Sequence, residues 1–307
     1  MKFDFISDIH IDNWLKDIYA EKNEAIEYFI TNILFDQKPP KEKREVLIIS
    51  GDIGHYIDTN ITFLKKIKKY YHKIGITFGN HDMYLENEKE RTEFKLSSYK
   101  KIKKFKDEIL KIKDIYFLDG TTFTHKGIKF GGLCGWYDVG NKKELWKHFS
   151  NDSMYIYMGE NYLEYDNELA LFQYGYFLPD IEPKQILEKE TKKLEKLTKH
   201  KRHVDVLVSH IPQILKEDLK KNCSKEILEQ LEKYEEKDEI LNGDVFYYID
   251  NKELLYKTQA KIYLFGHTHL KDIDMKINIK DKELRVISNC LGYSKENLYT
   301  KIETYKV

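Results

Sequence analysis

Hydrophobic residues in this chain come in short blocks, and five of those blocks stop at the same kind of polar residue. They are FDFISDIH (3 to 10), VLIISGDIGH (46 to 55), IGITFGNHD (74 to 82), VDVLVSHIP (204 to 212) and KIYLFGHTH (261 to 269). Four to six apolar, often β-branched residues bounded by Gly, Asp or Asn predict a buried strand rather than a helix. Between the first three blocks, residues 18 to 35 carry Ile18, Ile26, Phe29, Ile30, Ile33 and Leu34 at helical spacing, closed by Pro39-Pro40, and residues 59 to 72 repeat that spacing. A β-α-β-α-β opening predicts an α/β fold with parallel pairing.

Further along, residues 86 to 112 place Ile102, Phe105, Ile109 and Ile112 at helix spacing among lysines and glutamates, which predicts one solvated amphipathic helix. Short strands follow in IYFL, TTFTH and GIKFGGLCGW, with an Asp119-Gly120 turn after the first, and antiparallel pairing is expected. From about 136 to 182 the pattern has no clear period and is acidic and aromatic, with Trp146, Tyr155, Tyr157, Tyr162, Tyr165, Phe172, Tyr174 and Tyr176. We read it as an inserted lid or dimer contact packed for stability rather than a stacking platform for a nucleobase. A helix from Pro183 to His200 and a mainly helical insertion at about 213 to 257 are expected. Strands near 273 to 279, 283 to 288 and 298 to 305 complete the chain. No repeat or linker divides residues 1 to 307, so one catalytic domain is expected.

Composition changes this picture little. The 52 basic residues balance the 52 acidic ones, so no net field favours nucleic acid or an anionic membrane. Cys134, Cys223 and Cys290 form no CxxC pair, which argues against a disulfide framework and for the cytosol; Cys134 and Cys290 are expected to be buried. A first strand at about Lys2 leaves no room for a signal peptide, and no apolar run approaches a membrane span, so a cytoplasmic protein is expected.

The polar ends of the five strands carry the chemistry. In open α/β sheets the loops beyond the carboxyl ends of strands converge, which gathers Asp8, His10, Asp52, Asn80, His81, His210, His267 and His269. Imidazoles, carboxylates and one amide without a thiolate suit divalent Mn, Fe, Zn, Co or Ni, with Mn or Fe favoured. Seven ligands (Asp8, His10, Asp52, Asn80, His210, His267, His269) exceed the need of one ion, so two ions sharing a carboxylate are expected. Such pairs, roughly 3.5–4 Å apart, are the usual device for phosphoryl displacement. The Asp8-x-His10 and His267-x-His269 spacings would put two side chains on one face of an extended segment. His81, beside Asn80 and followed by Asp82, is the expected proton donor to a leaving oxygen, oriented by that carboxylate. His55 is read as a solvated loop residue, a group that supports the ligands from behind or a substrate contact, and His72, His125, His148, His200 and His203 as surface residues.

In this order, DIH (8 to 10), GD (51 to 52), GNHD (79 to 82), SH (209 to 210) and GHTH (266 to 269) resemble the five blocks of the calcineurin-like metallophosphoesterase superfamily. The specific part is GNHD followed far downstream by GHxH. The resemblance implies a four-layer α/β/β/α sandwich, two mixed sheets flanked by helices, with a dinuclear site at one edge. It implies that Asp8, His10, Asp52 and His269 hold one ion and Asp52, Asn80, His210 and His267 the other, with Asp52 as the bridge. A metal-bridging hydroxide would then attack phosphorus, with His81 assisting the leaving group and Asp82 orienting it.

The chain departs from the Ser/Thr protein phosphatases of that superfamily. It has GDIGHYI where they continue GDxxDRG, Phe78 rather than arginine before Gly79, and Asp82 where they have Glu. The pattern looks more like the bacterial-type phosphoesterases, and GWYD (135 to 138) resembles a segment of uncharacterised members. The expected function is metal-dependent hydrolysis of a small-molecule phosphomonoester or phosphodiester. A catalytically inactive binding scaffold and a nuclease are the alternatives; the complete ligand set weighs against the first and the neutral charge against the second.

Overall fold

Phe3 and Phe5 of the first strand enter one hydrophobic layer while Ile6 enters another, because side chains alternate across a strand. That alternation organises the molecule, which we describe from a computed structural model covering residues 1–18, 20–159, 182–199, 203–221, 223–233, 247–295 and 300–307. In chain order the strands are β1 (Lys2–Ile6), β2 (Arg44–Ser50), β3 (Tyr71–Thr77), β4 (Ile115–Phe117), β5 (Thr121–His125), β6 (Ile128–Leu133), β7 (Val206–Ser209), β8 (Ile262–Phe265), β9 (Ile273–Ile279), β10 (Lys282–Ser288) and β11 (Glu303–Lys306). One sheet runs β11-β1-β2-β3-β4, parallel except for β11. The other runs β5-β6-β7-β8-β10-β9, parallel in its centre and antiparallel at both edges.

The two sheets pack face to face through Phe3, Phe5, Val46, Ile48, Phe130, Val206, Val208 and Leu264. Helices cover the outer face of the first sheet: α1 (Ile11–Leu15), α2 (Lys22–Tyr28, prolonged by wide turns over Phe29–Leu34), α3 (Ile57–Ile67) and α5 (Ser98–Ile109), with the short α4 (Glu88–Glu93) between the last two in the chain. Phe29, Phe63, Leu64, Ile102 and Phe105 pack there with Leu47, Ile49, Ile74 and Ile76. At the far end of the chain order come α6 (Lys143–Phe149), α7 (Asn151–Tyr155), α8 (Pro183–Thr198), α9 (Lys216–Lys220), α10 (Lys225–Lys233) and α11 (Lys252–Thr258). Leu194, Leu219, Leu231 and Leu255, from α8 to α11, cover the second sheet over Leu207, Tyr263 and Phe265. The result is the expected α/β/β/α sandwich. Both faces of the central strands are covered, which is why they read as continuous apolar runs.

Four expectations change. The single helix over 86 to 112 is two helices, broken where Lys95 and Leu96 adopt φ of 49° and 51°. Tertiary contact decides this: Ser98 N donates to Tyr157 O at 2.8 Å, Ser98 Oγ accepts from Tyr157 N at 3.0 Å, and Phe94 packs with Leu85 and Tyr157. The short strands are not one antiparallel set. Only β5 and β6 form a hairpin, β4 pairs parallel with β3, and the Asp119-Gly120 turn carries the chain from one sheet to the other. Alternation within so short a strand does not say which sheet it joins. The last strand is Glu303–Lys306 rather than 298 to 305, and β3 begins at Tyr71, inside the segment read as helix. His200 and the tyrosines at 162, 165, 174 and 176 lie outside the described residues, as do Phe172 and the middle of the 213 to 257 insertion.

Candidate metal centre

The strands end just short of the chemistry, and the backbone then turns left-handed. After Ile6, Asp8 and His10 have φ of 50° and 43°; after β2, Asp52 has 51°; after β8, His267 and His269 have 67° and 54°. Asp and His tolerate this region better than most residues, yet each such position costs on the order of 1–3 kcal/mol. The expectation that Asp8 and His10, or His267 and His269, share one face of an extended segment is therefore corrected. Tight turns, rather than strand alternation, aim these side chains. Bonds between the loops hold the turns: Asp8 N to Gly51 O (3.3 Å), His10 N to Asp52 O (2.9 Å), Gly266 N to His210 O (2.9 Å) and Gly292 N to Asp8 O (2.9 Å). At Gly79 a Cβ would lie 2.1 Å from Asp52 Oδ1 and 2.7 Å from His210 Nε2, so only glycine leaves room for that carboxylate.

The structure brings all seven sequence-predicted ligands together. His10 Nε2 lies 3.2 Å from His269 Nε2 and 3.9 Å from Asp52 Oδ2, and His269 Nε2 lies 3.6 Å from Asp8 Oδ1. Alongside, His210 Nε2 is 3.3 Å from Asp52 Oδ2 and 3.0 Å from Asn80 Oδ1, which in turn is 3.1 Å from His267 Nδ1. Asp8, His10 and His269 form one group that could hold a metal ion, Asp8, Asp52 and His210 another, and His10, Asp52 and His81 a third, the ligand atoms within each lying within 4.8 Å of one another. Asp8 is common to the first two of these groups, and Asp52 Oδ2 reaches His10 Nε2 at 3.9 Å on one side and His210 Nε2 at 3.3 Å on the other. His210 Nδ1 donates to Ser50 O at 2.7 Å, which directs its Nε2 towards the Asp52 and Asn80 oxygens. Imidazole nitrogens, an amide oxygen and carboxylate oxygens facing one another could share a cation, and the donor types suit a borderline divalent one.

Electrostatics agree. Burial resists ionisation of Asp52, but His210 and His81 hold its carboxyl well below the usual range. Asp8 is likewise buried and is held down by His210 and His269. Burial and then neighbouring His81 push His10 down to about 3, which leaves it neutral with a lone pair to offer. His210 resists charge through burial, yet Asp52 and Asp8 raise it to about 10, so a proton fills the cation's place in the metal-free protein.

His81 stands beside the ligands. Its backbone N donates to Asp52 Oδ1 at 3.0 Å, and its ring packs 4.8 Å from that of His10 and 4.5 Å from that of Tyr84, half-buried. The Asp82 carboxylate turns the other way: Oδ2 accepts from Gly79 N (2.8 Å) and Asp52 N (3.0 Å). Among the described residues no hydrogen bond joins Asp82 to the His81 ring, so the structure gives Asp82 the task of bracing the loops. Burial and then the Asp52 charge raise it to about 7.

His55 is not a solvated loop residue. Its Nε2 meets Glu90 at 2.7 Å, and Glu90 pairs at 3.1 Å with Lys101, which is 1% exposed and donates to Tyr84 O at 2.6 Å. His125, expected at the surface, pairs with Glu45 at 2.7 Å. Sequence reasoning also missed Tyr293, stacked 4.5 Å from the His10 ring, and Asp152, which accepts from Asn80 Nδ2 at 2.8 Å. Neither sits in a recognisable pattern. Cys134 and Cys290 are buried, as expected.

The model of one protein family, described as calcineurin-like phosphoesterase, matches residues 1–271. The chain belongs to the calcineurin-like phosphoesterase family. Members of it are metal-dependent phosphoester hydrolases, and the Asp and His groups above are this chain's candidates for that metal. A solved structure, a phosphopantetheinyl hydrolase from Mycobacterium tuberculosis, aligns with this calcineurin-like phosphoesterase over 99% of its chain and 95% of the other, at 14% identity and a TM-score of 0.54. The likeness is one of fold. A second solved structure aligns over 99% and 98% of the two chains, at 11% identity and a TM-score of 0.46. Among curated proteins, none matches the chain. No helix of the described residues is long and apolar enough to cross a membrane.

Proposed function

We propose that this chain hydrolyses a phosphomonoester or phosphodiester of a small molecule at a centre of two divalent ions. The position of Asp52 supports the reading most: its Oδ2 lies 3.9 Å from His10 Nε2 and 3.3 Å from His210 Nε2, so one carboxylate serves both donor sets. Asp8, His10, Asp52 and His269 would hold one ion and Asp52, Asn80, His210 and His267 the other, with Mn or Fe suited to these donors. When bound, such a pair lowers the pKa of a shared water and neutralises charge on phosphate oxygens.

The chain's own residues supply position and a proton. Asp52 Oδ1 holds the His81 backbone, and the packing of the His81 ring between His10 and Tyr84 fixes its direction. His81 gives its proton to the leaving oxygen as the P–O bond breaks and regains one from solvent. Asp82 keeps the Gly79 and Asp52 amides in register, so the ligand loops need no reorganisation during the reaction. The balanced charge of the chain, 52 basic against 52 acidic residues, offers no field for a polyanion and favours a small substrate.

Metal-stripped protein reloaded with Mn²⁺ is expected to cleave p-nitrophenyl phosphate, its bis ester, or both. If both stay intact, the hydrolase reading fails. Asp52→Asn is expected to abolish turnover, and retained activity in that variant contradicts the shared ligand.

A further inference from the structure

The hydrogen bonds behind Asn80 lead away from the ligands into the segment read as a lid. Asn80 turns Oδ1 to His210 and His267, and its Nδ2 donates to Asp152 Oδ1 at 2.8 Å and to Tyr84 Oη at 3.1 Å. Asp152 lies on α7 and is 4% exposed. An ionised carboxylate only accepts, so Asp152 decides which end of the amide faces the imidazoles. The same carboxylate gathers Tyr84 Oη on Oδ1 at 2.6 Å and Tyr137 Oη on Oδ2, and Trp146 Nε1 donates to Tyr137 Oη at 2.7 Å. Among the described residues no basic side chain forms an ion pair with Asp152. Its charge is met by donors alone and, through the Asn80 amide, by whatever cation lies beyond.

We propose that Asp152 is the positioning residue of the Asn80 ligand. Its negative charge behind Nδ2 fixes the amide and polarises it, which makes Oδ1 a better donor to one ion of the pair. The inference rests on the dinuclear reading above. It gives the aromatic segment a second role, since Asp152, Tyr137 and Trp146 all come from residues 136 to 182. The described part of that segment, residues 136–159, would then set metal affinity. A purely structural Asp152 would instead affect stability and treat both ions alike.

Calorimetric titration of the metal-free protein with Mn²⁺ tests this, with thermal melts recorded alongside. Wild type is expected to bind two ions. Asp152→Asn is expected to weaken one of them about 10–100-fold and leave the other within about 3-fold. Tyr84→Phe, which removes one donor and keeps the carboxylate, weakens the same ion less. The exchange variant Asn80→Asp with Asp152→Asn reverses the polarity of the bond and is expected to recover most of the lost affinity. If Asp152→Asn binds both ions as wild type does, the proposal is overturned and the dinuclear reading stands. Equal weakening of both ions in Asp152→Asn and Tyr84→Phe, without recovery in the exchange variant, also overturns it. Wild type that binds fewer than two ions overturns the dinuclear reading, and the proposal with it.

Discussion

His10 and His269 face each other with their Nε2 atoms 3.2 Å apart, although 259 residues separate them in the chain. Two imidazole nitrogens at that distance, with Asp8 Oδ1 3.6 Å from one of them, form a gap that a cation could close. Removing divalent ions with a chelator is therefore expected to lower the melting temperature as well as activity. A site filled at one hundred times its dissociation constant stabilises the fold by about 2.7 kcal/mol. Scanning calorimetry with and without Mn²⁺ measures this; identical melts speak against a metal centre at these residues.

Loading of that centre is expected to depend on pH. In the metal-free protein His210 is raised to about 10 by Asp52 and Asp8 against its burial, so it carries a proton at neutral pH that the metal must displace. Affinity for Mn²⁺ should rise with pH, with proton release visible as a buffer-dependent binding enthalpy. The stability that His210 lends the metal-free fold follows the opposite course. Its folded pKa lies above the ordinary 6.5, so the contribution is complete below about 6.5 and is lost as pH rises through about 10. Chelated protein should accordingly melt lower as the pH is raised across that window.

His81→Ala is expected to reduce kcat by about 10²–10⁴ for substrates with poor leaving groups. The loss should be much smaller for p-nitrophenyl esters, whose leaving oxygen needs little protonation. Manganese stoichiometry should be unchanged, because His81 stands outside the proposed ligand set. A uniform loss across leaving groups would remove the proton-donor role.

Gly79→Ala tests the close packing under Asp52. The new methyl would lie 2.1 Å from Asp52 Oδ1, so the carboxylate must move. Displacements of an ångström at such a site cost roughly 10² in rate. Circular dichroism should show the fold retained while kcat/KM falls by at least about that factor.

Lys101→Met removes one partner of a buried ion pair, leaving the Glu90 carboxylate with His55, the Glu86 amide and the Asn87 side chain. Breaking such a pair costs about 3–5 kcal/mol, whereas also neutralising the partner recovers much of it. Denaturant unfolding should show Lys101→Met/Glu90→Gln more stable than Lys101→Met.

Much of the candidate ligand set was legible because its signal is local. Asp52, Asn80 and His267 each directly follow a glycine at the end of an apolar run that has to be a buried strand. The supporting residues are different. Asp152 is 72 positions from Asn80, and Lys101 is held by Glu90 on another helix. Nothing in the neighbourhood of either residue distinguishes it from a solvated charge. The break at Lys95 and Leu96 was hidden for the same reason, since Tyr157 supplies the bonds that compensate it.

By itself the sequence determined where the strands lie, which polar residues end them, and hence the chemistry gathered at one edge of the sheets. Apolar periodicity and ligand type are properties of neighbouring residues and need no partner to be read. Only the tertiary structure decided how those residues are aimed. Left-handed turns at Asp8, His10, Asp52, His267 and His269 persist because separate loops bond to one another, and the Asn80 amide is oriented by a carboxylate from a distant segment. Such strain and such orientation exist only once the loops have met.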